Sequence, residues 1–416
     1  MTFLNAKGLN PDTLDNAALL EAFIHEMEKG LRDEGDLPMI PSGLLLGQGR
    51  PTNTTIPAFD VGGTNVRAAR VTFDAEGRAT FDNLRRGLMP GAQGEVDAAT
   101  FYGQLCDVLA PNLRAGERLG FCFSYPISES GELLFWTKKI QAPAIVGRNV
   151  STDLVAALGA RGLEGCSAQI LNDTVAALLA AYLHPQAMTA AGHVGFILGT
   201  GTNTAYAEAT TAIPKRANLP AGKLMPINCE SGNFNQFPKS EFDLRYDAES
   251  GTGKSQWERC ISGVHLGSLG TILLRTAAEE GLLSASLKDV LLNRAFSHVE
   301  LNAFCTGEAP ALLPCSATEA ETVKALLTPL YERAARFAAI NIAAAGIRSA
   351  RARQQTSGTI LVNADGSTLW KTSAIPFADR VRETVAALLR PYGYTCELFR
   401  VDEAPLLGAA LAAACE

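Results

Sequence analysis

Two stretches of this chain, FDVGGTN (59–65) and ILGTGTN (197–203), repeat one device: an apolar strand, a run of glycine and threonine at its end, and a return strand. Glycines at a tight strand-to-strand turn let successive backbone N–H groups converge on one point with no Cβ in the way, which makes a small concavity for an anion. Thr64, Asn65, Thr200 and Asn203 add hydroxyl and amide groups to the rims. A single copy reads as an ordinary β-hairpin. Two copies, each opening one half of the chain, predict a nucleotide clamped between two related lobes. Asp60, at the end of the first strand, is costly to bury without a partner. Beside a phosphate turn its candidate partners are a magnesium ion reached through water, or the glycine N–H groups of the turn itself.

The rest of the chain supplies the alternation that a doubled α/β fold requires. With 416 residues and 47% apolar composition it can fill two or more domains. Periodicity predicts a helix over 14–31, strands at 56–61 and 66–73, a helix near 97–113, a strand at 118–124, a helix near 150–160, a strand at 168–171 and a helix at 173–183. The second half opens the same way, with strands at 194–198 and 204–209. Long helices are expected at 256–279 and 318–350, then a strand at 358–363, a helix at 376–389, a strand at 394–401 and an alanine-rich terminal helix. This is α/β throughout.

The net charge is −7 and the basic residues are scattered singly, so no footprint for nucleic acid or an anionic membrane surface is visible. The N-terminus lacks the pattern of a secretory signal, and no apolar stretch reaches about 18 residues, so a cytoplasmic protein is expected. Nine cysteines without a C-x-x-C spacing fit buried, reduced thiols. The five histidines form no i, i+3 or i, i+4 pair, and no zinc site is expected.

Three further clusters carry chemistry. In LGFCFSYPISESGELLFWTKKI (119–140) an apolar strand runs into Ser124, and the polar tetrad Trp136, Thr137, Lys138 and Lys139 follows a turn. In ILNDTVAALL (170–179) a strand delivers Asn172 and Asp173 to a helix start, where either side chain would also serve as a routine N-cap. In PINCESGNFN (226–235) Glu230 lies among small residues, which suits a loop that approaches a ligand closely. A fourth string, DAESGTGKSQWE (247–258), is one residue from a phosphate-binding P-loop, with Ala248 where that motif has its first glycine. A true P-loop needs a strand immediately before it, and the preceding SEFDLRYD is highly charged. Residues 247–255 therefore read as a surface loop leading into a helix, with Lys254 solvated.

Taken together, these segments resemble the hexokinase family. LGFCFSYP with FWTKKI is similar to its sugar-binding signature, FDVGGTNVR and FILGTGTNTAYAE to its two phosphate segments, and LNDTVAALLAAYL to its catalytic segment. INCESGNF and QWERCISGVHLGSLG match two further sugar-lobe segments, and NADGST its adenosine-side loop. The resemblance implies the duplicated actin-like ATPase (ribonuclease H-like) fold, with a small lobe of 45–171 plus 402–416, a large lobe of 1–44 plus 172–401, and a cleft between them. It implies ATP, Mg2+ and a hexose as ligands, with no nucleic-acid or membrane partner, and transfer of the γ-phosphoryl group to the sugar's 6-hydroxyl. Glucose is the first expectation, then mannose or fructose.

Residue by residue, the resemblance makes Asp173 the general base and Lys138 the charge neutraliser near the reacting oxygens. Ser124, Thr137, Asn172, Asn203, Glu230 and Glu258 would bind the ring hydroxyls, which both donate and accept. Gly62, Gly63, Thr64, Asn65 and Arg67 fall on one phosphate side, with Asp60 holding magnesium through water. Gly199, Thr200 and Gly201 fall on the other, and Gly366 and Ser367 by the adenosine. The chain departs from the family at Ser231, where tryptophan is usual, at Cys122, where threonine is usual, and in DEAPLLG (402–408). The alternatives are a catalytically silent hexose-sensing protein and a kinase for an amino sugar on the same fold.

Overall fold

The computed structural model describes residues 2–47, 49–128, 130–136, 139–251 and 253–415. After a short strand β1 (Ile40–Pro41), the chain builds a five-stranded sheet from β2 (Thr54–Val61), β3 (Asn65–Phe73), β4 (Ala79–Leu88), β5 (Arg118–Phe123) and β6 (Ser167–Leu171). Their order is β4-β3-β2-β5-β6. The first three form an antiparallel meander, and β5 and β6 run parallel to β2. The second sheet uses β7 (Gly192–Leu198), β8 (Thr202–Ala209), β9 (Leu224–Asn228), β10 (Gly358–Asp365) and β11 (Tyr394–Phe399) in the order β9-β8-β7-β10-β11. Its pairing senses repeat those of the first sheet, and β1 adds to its β9 edge. This is the duplicated actin-like arrangement.

Side-chain alternation along β2 fixes what each face does. Phe59 and Val61 enter an apolar cluster with Phe121 and Phe123 under the helices Ala98–Leu109 and Val150–Gly159. Ile56 and Ala58 face the layer between the two sheets, and Asp60 continues that face. The layer is made by the helices Asp173–Ala181 and Ala404–Ala414, each following the last strand of its sheet. They pack at backbone distance. A Cβ on Gly408 would lie 2.1 Å from the Ala176 carbonyl oxygen, and one on Gly120 of β5 1.9 Å from that of Ala409. Small residues therefore stand at the points of closest approach, Ala176 on one helix and Gly408 and Ala409 on the other.

Three expectations need correction. The helix read as continuous over 256–279 is two, Gln256–Ile261 and Gly263–Glu279, broken at buried Ser262, which is extended (φ −85, ψ 154). Residues 247–250 are the last turn of the helix Glu241–Ser250 rather than loop, and the loop starts at Gly251 with φ +67. The sequence reading also missed β4, β9 and the helices Ala285–Asn293 and His298–Thr306. All nine cysteines are free, five of them buried. Among the described residues no helix is long and apolar enough to cross a membrane.

Candidate active site

Each glycine turn spans three residues, 62–64 between β2 and β3 and 199–201 between β7 and β8. Backbone bonds close them, from the Gly62 N–H to the Asn65 carbonyl at 3.1 Å and from the Gly199 N–H to that of Gly201 at 2.9 Å. Both face one cavity of about 840 Å³, lined by Gly62, Gly63, Thr64 and Asn65 from the first turn and by Thr200 from the second. Three cations line it as well: Arg67, Arg86 and Lys139.

Asp60 and Arg67 stand opposite each other across the first hairpin. Arg67 donates from Nε at 2.9 Å and Nη2 at 2.6 Å to Asp60 Oδ2, and from Nη1 to Glu403 Oε2 at 2.5 Å. Arg86 donates to the other oxygen of Glu403 at 2.7 Å. Glu403 precedes the helix Ala404–Ala414 in the left-handed region, φ +52. The partner of Asp60 is thus an arginine, not the glycine N–H groups. Its Oδ1 is buried and accepts from no N–H or O–H among the described residues, with the Cys122 thiol against the carboxylate. Burial raises the Asp60 pKa, Arg67 opposes that, and the charge of Asp173 adds to it.

A second cavity of about 430 Å³ opens beside the first turn, with Asn172, Asn228, Glu230 and Asn233 as its polar wall and Ile40, Tyr125, Leu134 and Phe135 among its apolar ones. Ser124 is tied to β2 by its N–H to the Val61 carbonyl at 3.1 Å, and Tyr125 donates its hydroxyl to the Gly62 carbonyl at 3.0 Å. Trp136 donates its indole N–H to the Ala142 carbonyl at 2.9 Å and stands edge-on to the Tyr125 ring.

The helix cap goes to Asn172, whose Oδ1 accepts the Thr174 N–H at 2.8 Å. Asp173 is the first helical residue, half-buried, where the helix N-terminus favours a negative charge. Its charge acts on both Asp60 and Glu230. Glu230, at φ +51, accepts from the Asn228 and Asn203 amides at 2.8 and 3.2 Å. Burial pushes its pKa up, the Asn228 and Asn203 amides oppose this, and Asp173 adds to it.

Glu258 Oε2 accepts the Thr202 N–H at 2.8 Å. Burial raises its pKa too, against that N–H and with help from Glu230. A Cβ on Gly201 would lie 2.6 Å from Glu258 Oε2, so the turn must be glycine there for the carboxylate to reach it. Ser231 is buried and bonded to Thr204 and Asn341, so a satisfied polar trio stands where the family usually has an indole.

Gly366 has φ +117, and its Cβ would lie 2.2 Å from the Leu198 carbonyl. Ser367 opens the short helix Ser367–Lys371, whose Thr368 hydroxyl donates to the Gly199 carbonyl at 2.8 Å. The Gly263 N–H donates to the same oxygen at 2.8 Å, which the break at Ser262 makes possible. Arg86, Glu403 and Gly263 were not singled out as site residues from sequence, and Arg86 and Glu403 lie far along the chain from the residues they meet. Lys139 is the last member of the tetrad named from sequence, where no role was given to it. Thr137 and Lys138 lie outside the described residues. Lys254 is exposed on a loop joining two helices, with no strand before it, so the P-loop geometry is absent.

Two family models described as Hexokinase match this chain, one over residues 3–183 and the other over 193–415. The chain belongs to the hexokinase family. Hexokinase-1 of Oryza sativa subsp. japonica is 36% identical over an alignment of 284 residues that covers 61% of this chain and 55% of that protein. Hexokinase-2 of Candida albicans is 32% identical over 292 residues, 63% of this chain and 58% of that protein. These matches span little more than half the length of the curated relatives. The solved structure of a Schistosoma mansoni hexokinase complexed with glucose superposes with a TM-score of 0.79 at 24% identity, covering 98% of this chain and 97% of that one. That likeness establishes the fold.

Proposed function

We propose that this hexokinase-family protein transfers the γ-phosphoryl group of ATP to the 6-hydroxyl of a hexose. The observation that carries the reading is the place of Asp173. It lies at a helix start where its charge reaches Asp60 beside the cationic cavity and Glu230 in the amide-lined one. In this reading the two turns with Arg67, Arg86 and Lys139 of the first cavity hold a polyphosphate, and Asn172 and Glu230 of the second, with Ser124, Asn203 and Glu258, hold a polyol. Asp173 takes the proton of the 6-hydroxyl as that oxygen attacks the γ-phosphorus in line. The resemblance to the family gives Lys138 the neutralising of charge near the reacting oxygens and Thr137 a ring hydroxyl, both outside the described residues, and Gly366 and Ser367 the adenosine.

The donor side fits a magnesium–nucleotide complex. The buried Oδ1 of Asp60, which no N–H or O–H among the described residues reaches, is a hard oxygen acceptor beside the phosphate turn. Among the described residues no group of three or more His, Cys, Asp or Glu side chains is placed to enclose a metal, so the ion would take most of its ligands from phosphate and water. Bound there, magnesium supplies charge neutralisation on the β- and γ-phosphates.

The lobes of this reading are 45–171 with 402–416 and 1–44 with 172–401. Nine free thiols favour a reducing, cytoplasmic setting. The test is an ADP-release assay with magnesium, ATP and a panel of glucose, mannose, fructose and glucosamine. Glucose comes first because the Schistosoma relative was solved with it. Hexose-dependent ADP release supports the reading, and its absence for every sugar overturns it.

A further inference from the structure

Among the described residues Glu258 is held by one of its two oxygens. Oε2 accepts the Thr202 N–H, while Oε1 lies 4.0 Å from Nε2 of His265, just beyond hydrogen-bond range. His265 reaches that place because the chain breaks at Ser262, which carries the next helix back past the short one that bears Glu258. Its other ring nitrogen, Nδ1, is 2.7 Å from the Tyr246 hydroxyl. Tyr246 is itself clamped. The Arg259 guanidinium sits 4.2 Å from its ring centroid and donates to its carbonyl at 3.1 Å, while Arg259 Nε lies 3.0 Å from Asp247 Oδ1. The string that imitates a P-loop thus begins as a brace: Asp247 and Tyr246 end one helix and hold a residue of each of the next two.

We infer that His265 is a positioning residue for Glu258, oriented by Tyr246 so that its Nε2–H closes on Oε1 when a hexose fills the cleft. The inference rests on the sugar-binding part of the function proposed above. Burial, with Arg259 nearby, lowers the His265 pKa to about 4, so the ring is neutral at physiological pH and carries a single N–H. A phenol that donates into Nδ1 leaves that proton on Nε2, facing the carboxylate. With both oxygens fixed, Glu258 presents its remaining lone pairs to a sugar hydroxyl without first having to be ordered.

The experiment measures the glucose Kd by calorimetry without ATP, beside KM for glucose and ATP, in the full chain. His265→Ala and Tyr246→Phe should each weaken glucose binding about 5- to 20-fold and leave the ATP KM within twofold. His265→Gln, whose amide N–H falls near the Nε2 position, should restore most of the loss, whereas His265→Asn should not. In a double-mutant cycle with Glu258→Gln the His265→Ala effect should largely disappear. Glucose affinity within twofold in His265→Ala overturns the inference, as does an additive cycle. If His265→Ala fails to fold, Tyr246→Phe decides alone, and unchanged affinity there overturns it. Glucose binding without turnover in the unaltered protein would sink the kinase reading and leave this test standing. Absence of glucose binding would overturn both.

Discussion

Replacing Asp173 by asparagine separates the chemistry of that carboxylate from the architecture around it, because the helix cap belongs to its neighbour. Asn172 supplies the bond to the Thr174 N–H, so the variant keeps its cap. What it loses structurally is one negative charge in a first helical turn, worth about 0.3–1 kcal/mol. In a chain of this length that lowers the melting temperature by at most about 4 °C. Loss of a general base costs far more, about 100- to 10,000-fold in rate, or about 2.7–5.4 kcal/mol of barrier. A second observable follows from the electrostatics. The charge of Asp173 helps to raise the Glu230 pKa, so neutralising it should move the acid limb of hexose binding to lower pH. The assay is ADP release at saturating glucose and ATP, beside a thermal melt and a glucose titration. A folded Asp173→Asn protein with more than about a tenth of the parent kcat would refute the reasoning.

The raised Glu230 and Glu258 protonate at higher pH than ordinary glutamates, and protonation weakens them as acceptors of sugar hydroxyls. The acid limb of kcat/KM for hexose should therefore lie above the usual glutamate value of about 4.3, and Glu258→Gln should shift it; a pH profile reads both. Lys254→Ala, at an exposed loop position, should leave both KM values within twofold, whereas Glu258→Gln should raise the hexose KM about 10- to 150-fold with little change for ATP. Gly408→Ala places a methyl 2.1 Å from the Ala176 carbonyl oxygen and should cost about 1–3 kcal/mol in a denaturant titration. Saturating hexose should compact the molecule as the lobes close to exclude water, and unchanged small-angle scattering would count against closure.

Features carried by short contiguous signals were legible in the sequence. The two glycine turns, their flanking strands and the helix start at Asn172 and Asp173 are local patterns, and the structure keeps all of them. The third strand of each meander was not legible. β4 is an edge strand exposed along most of its length, so it lacks apolar alternation, and β9 is five residues long with a proline inside. The break at Ser262 was hidden because both flanking helices keep helical spacing; what it serves lies across the fold, where Gly263 bonds to the Gly199 carbonyl. Site residues were legible where a motif carried them. Arg86, Glu403 and His265 were not, since each acts through a partner brought to it by the fold.

The helices Asp173–Ala181 and Ala404–Ala414 occupy equivalent places in the two halves, and each begins with a carboxylate, Asp173 in one and Glu403 just ahead of the other. Their contact is of the isologous kind that two identical subunits form about a two-fold axis, here enclosed in a single chain. Identical halves would present the same acid twice and could not tell the giving side of a reaction from the receiving one. Covalent fusion removes that constraint. On one side of the pseudo-axis the acid accepts from the neighbouring Thr174 hydroxyl at 3.3 Å and bears on Asp60 and Glu230, and on the other it is spent on Arg67 and Arg86 beside the cationic cavity. The two halves thus differ in what their helix starts hold: an asparagine cap with a carboxylate behind it in one, a carboxylate at the cap itself in the other.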